Sequence, residues 1–154
     1  MMIDAARESL GDRHDKAVDF VMNYQKMHGI EETLRRLMPF MVSYLSLIRN
    51  SFPEVAKAAL AVAEKYYLNV NTQAVGESNE FETARNSCWN YLESTGRKYD
   101  FDSRDALAVR AVLCLLAAEP LNDVGETTTW FFDFADSVED HSSEIQSLLA
   151  RCFE

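Results

Sequence analysis

The chain has 154 residues, 47% of them hydrophobic and 26% charged, and carries a net charge of −10. A chain of this length is the usual size of one domain and buries roughly 68–70% of its unfolded surface, which excludes wholesale disorder and any need for covalent staples. So acidic a balance also argues against gripping nucleic acid, which requires a basic face.

Five Gly and three Pro, with many Ala, Leu, Glu and Lys, point to helices joined by short turns. Apolar residues recur at spacings of three and four almost throughout, and strict alternation is nearly absent. The expectation is an all-α, single helical domain over residues 1–154, a bundle or short array of about six to seven helices.

In chain order, residues 13–27 place Ala17, Phe20 or Val21, Tyr24 and Met27 on one face and stop at His28-Gly29. A second helix over 31–49 turns Leu34, Leu37, Met38, Met41, Tyr44, Leu45 and Ile48 inward, and Pro39 inside it predicts a kink or a split. Ser51-Phe52-Pro53-Glu54 opens a third helix running to about Asn69 through Val55, Ala59, Val62 and Tyr66. Asn69-Val70-Asn71-Thr72 reads as a turn, followed by a polar passage with Gly76.

Ser78-Asn79 can cap a fourth helix over 80–94, with Phe81, Ala84, Cys88, Tyr91 and Leu92 inward and Trp89 beside them. Asp102-Ser103 caps a fifth, to about Ala118, apolar on most sides and so expected at the centre. Pro120 starts a sixth over 121–137, and Ser142 or Ser143 a last one to Phe153.

Chemistry-bearing patterns are scarce. Three cysteines, Cys88, Cys114 and Cys152, form no C-x-x-C pair and read as small buried hydrophobes in a reducing compartment. The first ten residues lack the apolar run of a signal peptide, and the longest apolar stretch, 106–118, contains Arg110 and is too short to span a membrane. The expected location is the cytoplasm, with no membrane and no nucleic-acid partner.

Asp12-Arg13-His14-Asp15 reads as a solvated face, and His28 sits where a helix end favours a positive charge. His141, near Asp140 and Glu144, is the best placed of the three histidines for a metal. A helical carboxylate-bridged site, however, uses Glu-x-x-His pairs on two helices, and the chain has none. Nucleophile motifs and Gly-rich phosphate loops are also missing. No catalytic residue, metal or cofactor is assigned.

Charge, by contrast, is unevenly distributed. Residues 1–118 hold 16 acids and 14 bases, a net of −2, whereas 119–154 hold nine acids against Arg151 alone, a net of −8. Carboxylates packed this densely repel one another, so a folding requirement alone does not call for them. The same segment contains Trp130-Phe131-Phe132-Asp133-Phe134. Trp130 and Phe134, four apart, can share the core side, which turns Phe131 or Phe132 partly outward beside Asp133 and Asp136. An aromatic anchor rimmed by carboxylates suits a basic partner. The alternative is a core helix with a solvated acidic back.

The run Ala58-Ala59-Leu60-Ala61-Val62-Ala63-Glu64-Lys65-Tyr66-Tyr67, then Ala84-Arg85 with Trp89, then Ala108-Val109-Arg110-Ala111-Val112, resembles helical immunity proteins of bacterial polymorphic toxin systems, among them those beside contact-dependent growth inhibition toxins. The resemblance covers roughly residues 54–118 and does not extend to 1–50. It implies a cytoplasmic protein that binds one cognate toxin domain and blocks its activity, with Arg85, Trp89 and Arg110 as framework positions.

The expected function is therefore toxin neutralisation without chemistry of its own. A basic toxin domain, such as a nuclease, would be held through Asp123, Glu126, Asp133, Asp136, Glu139, Asp140 and Glu144, with Trp130 or Phe131 as the apolar anchor. The alternatives are an acidic adaptor or nucleic-acid mimic aimed at another nucleic-acid-handling protein, and a helical enzyme or ligand-binding bundle.

Overall fold

The computed structural model describes residues 10–68, 79–97, 102–116 and 123–154. Among them lie seven α-helices and no strand: α1 (Leu10–His28), α2 (Ile30–Ser46), α3 (Glu54–Tyr67), α4 (Asn79–Ser94), α5 (Arg104–Leu113), α6 (Val124–Val138) and α7 (Ile145–Cys152). Single 3-10 turns, Arg49–Ser51 and Ser142–Glu144, precede α3 and α7.

Sequence punctuation explains most boundaries. Gly29 alone separates α1 from α2; its φ of +87° is left-handed backbone open to glycine at no steric cost. Its amide donates to the Gln25 carbonyl, and the Thr33 hydroxyl donates back to the Gly29 carbonyl. Pro53, extended, precedes the first turn of α3. Ser103 Oγ accepts the Ala106 amide at 3.2 Å to start α5, and Asp123 Oδ1 accepts the Glu126 amide at 2.9 Å to start α6.

Three expectations are corrected here. Helix α2 runs unbroken through Pro39, so no split occurs. Helix α5 is shorter than expected and closes in a turn at Cys114-Leu115, while the expected start of the sixth helix at Pro120 lies outside the described residues. On α1 the expected Ala17 and Val21 are buried and Tyr24 packs against the core, but His14 joins that stripe and Phe20 is exposed. Met27 is exposed as well.

Helix α2 packs on α1, α3 and α7, and its Leu37, Phe40, Met41, Tyr44 and Leu45 are wholly buried. Helix α5 touches α3, α4 and α6 and buries Ala106 to Val109, Ala111 and Val112, as expected of a central helix. Helix α6 lies between α5 and α1. Burial of one large aliphatic or aromatic side chain is worth about 1.5–3 kcal/mol, so this shared core dominates the stability.

Helix α1 runs antiparallel to α6: His14 meets Asp133 and Asp136, and Met22 meets Gly125. The approach at Gly125 is close, because a Cβ there would come within 3.0 Å of Met22 Sδ. That pairing of α1 with α6 carries the candidate site.

Candidate functional site on α6 and the α1 seam

Helix α6 has two chemically opposed faces. Its buried arc is Val124, Gly125, Thr128, Phe131, Phe132, Ala135, Asp136 and Val138. Phe131 and Phe132 are both 0% exposed and meet the α2 aromatics: Phe132 lies edge-on to Phe40 and Tyr44, with Phe131 tilted against Tyr44. The expectation that Phe131 or Phe132 turns outward is thus corrected, and Phe131 is withdrawn as an anchor. Trp130 does not share the core side with Phe134; it is 53% exposed. The reason is that α6 is covered on two flanks, which widens its buried arc and centres it on Thr128, Phe131, Phe132 and Ala135.

Within that arc, Asp136 is the second correction. Its carboxylate is buried and accepts two donors: the Tyr44 hydroxyl at 2.6 Å and the ring N–H at His14 Nε2 at 2.5 Å. The backbone amide of His141 lies 3.4 Å from the same oxygen that Tyr44 contacts. His14 is only 6% exposed and stacks on Phe132 with centroids 4.9 Å apart. It is not on a solvated face, and Asp136 is no surface charge.

Burial, followed by the Asp136 carboxylate, raises the Tyr44 phenol far above its ordinary value, so it stays a donor. This network ties α1, α2 and α6 together. The signal for it was present in the sequence, since His14, Ala17 and Val21 share one helical stripe.

Other predicted contact residues also serve the fold. Asp123 caps α6. Glu139 is held below its ordinary range by hydrogen bonds from His141, at 2.6 Å, and from Ser51, at 2.8 Å. Asp140 is likewise lowered by Ser142, whose amide donates to it at 2.8 Å. The carboxylates of 119–154 are therefore partly accounted for by folding, contrary to the expectation. Glu144 is exposed on the 3-10 turn before α7, away from the α6 stripe in sequence.

What remains on the solvent face is a stripe at helical spacing: Glu126, Trp130, Asp133 and Ser137, all exposed. Asp133 Oδ1 lies 3.7 Å from His14 Nδ1, which places it at the seam with α1. Across that seam, helical spacing sets the exposed Asp15 and Asp19 on the flank of α1 shared by Val18 and Met22. Lys26, also exposed, follows one turn beyond Met22 on the same flank. The arginines at the far end of α6 are occupied: Arg13 donates to Ser142 Oγ, and Arg104 to the Val138 carbonyl.

Elsewhere the expected framework residues take distinct roles. Arg85 donates to the Leu116 carbonyl at 2.9 Å and meets no carboxylate among the described residues, and Arg110 sits over the Trp89 ring, 6.0 Å from its centroid. Burial pushes the Cys88 and Cys114 thiols up to about 12, which suppresses the nucleophilic thiolate. No group of three metal-binding side chains occurs among the described residues. A groove of about 590 Å³ runs along the α3–α4 seam, walled by Val55, Ala58, Ala59, Val62 and Ala84. No described helix is long and apolar enough to cross a membrane. No family model matches the chain, and neither a curated protein nor a solved structure matches it.

Proposed function

We propose that this is a stoichiometric binding protein that docks a basic protein surface on the solvent face of α6, and that the partner is a toxin domain whose activity the complex blocks. The observation that carries the reading is Trp130, half exposed between Glu126 and Asp133 on a stripe without a basic residue. Interfaces are anchored by desolvated aromatics, and complementary charge around the anchor steers association, to about 10⁸–10⁹ M⁻¹s⁻¹ at low salt. The immunity reading rests further on the resemblance over residues 54–118. A toxin that cuts nucleic acid has the matching positive cleft, because its substrate is a polyanion.

The test is a one-to-one complex with the partner together with protection of cells that express it. Trp130→Ala and the double variant Glu126→Lys/Asp133→Lys should keep the helical circular dichroism and unfolding midpoint of the parent. Both should lose protection, and the double variant should also lose the salt dependence of binding. Unchanged protection by both variants would assign the α6 stripe to solvated surface. An adaptor for another nucleic-acid-handling protein would form the same salt-sensitive complex without protecting any cell.

A further inference from the structure

Both indoles of the chain are exposed, and among the described residues only Trp89 carries a cation over its ring. Trp89, 37% exposed on α4, carries the Arg110 guanidinium over its ring at 6.0 Å from the centroid. Trp130 is more exposed, at 53%, and no ring or cation from the described residues lies against it. Its helical neighbours one turn to either side are the carboxylates Glu126 and Asp133. Arg13 and Arg104, bound about two turns away at the end of α6, are held by Ser142 and Val138.

We propose that Trp130 is an arginine receptor: the partner supplies a guanidinium that stacks on the indole face while its N–H groups turn to Glu126 and Asp133. This deepens the docking reading and rests on it. A guanidinium is planar, so it can lie flat on a ring and still donate edgewise to two carboxylates. An ammonium is a compact, strongly hydrated point charge that gains the carboxylates but little from the ring. Asp15 and Asp19 across the seam add two exposed carboxylates near the stripe, so the favoured element presents several cations along one face, as a basic helix does. The surface is thus selective for arginine over lysine, which a diffuse acidic patch is not.

The measurement uses two short helical peptides, identical except that one carries arginine and the other lysine along one face. They are titrated at low salt into the full chain bearing Trp89→Phe, which leaves Trp130 as the sole indole reporter. The expected result is a fluorescence change, with the arginine peptide bound about three- to tenfold more tightly. Calorimetry on Trp130→Leu should find the two peptides equal. Equal affinities in the parent, both falling on Glu126→Gln/Asp133→Asn substitution, would overturn the arginine receptor and leave the acidic docking surface standing. Absence of binding by either peptide would overturn both.

Discussion

Asp133 and Asp136 stand three residues apart on α6 and do opposite work. Asp136 is buried, holds His14 and Tyr44 at 2.5 and 2.6 Å, and joins three helices. Asp133 is exposed, approaches His14 only at 3.7 Å, and belongs to the stripe with Trp130. The aromatics divide the same way: Phe131 and Phe132 fill the core, and the neighbouring Trp130 faces water. Residue type therefore says little about role on this helix. Azimuth relative to α1, α2 and α5 decides it, because burial changes the cost of a charge by several kcal/mol.

The widest gap between the two faces should come from deleting the carboxylates one at a time. Asp136→Ala strands the Tyr44 hydroxyl and the His14 ring in a dry site and is expected to cost about 3–5 kcal/mol in urea unfolding. Asp133→Ala should cost less than about 1 kcal/mol, as exposed charges do. Equal losses would mean that the faces are not distinct.

A smaller change sharpens the account of the inner face. Tyr44→Phe removes one donor to Asp136 and leaves the ring packing against Phe131 and Phe132 intact. The expected loss is about 1–1.5 kcal/mol, the net worth of one hydrogen bond, with the slope of the unfolding curve unchanged.

The smallest effect concerns acid. Glu139 and Asp140 are both held below their ordinary values, 4.5 and 3.8, by hydrogen bonds in the fold. A carboxyl lowered on folding stabilises the native state above its unfolded value, and the contribution disappears as pH falls through the folded one. Unfolding midpoints should drop from about pH 5 downwards, and Glu139→Gln should flatten part of that slope. A Glu139→Gln profile parallel to the parent would remove Glu139 from the acid-sensitive set.

Local signals were legible residue by residue. Gly29, Pro53 and Ser103 mark a turn and two helix starts through conformational freedom, fixed φ and a side-chain acceptor, and none of these depends on distant contacts. The imbalance of charge in the last 36 residues was also plain. Less legible was which of those acids face water. Asp123 and Asp140 satisfy nearby backbone amides, and Asp136 pairs with residues 122 and 92 positions away. The stripe Val124, Thr128, Phe131, Ala135 and Val138 carried the right helical spacing, but Trp130 and Phe134 offered a competing one.

Amino-acid order by itself determined that this chain is helical, where several of its helices start and stop, and that its C-terminal third is acidic, because propensity, capping and net charge are local quantities. Only the tertiary structure decided that His14 and Asp136 lie inside and Trp130 outside. The reason is geometric: a helix of 15 residues such as α6 has more apolar positions than one neighbour can cover, and the placement of α1 and α5 beside it, with Phe40 and Tyr44 of α2 against Phe132, chooses which of them meet water.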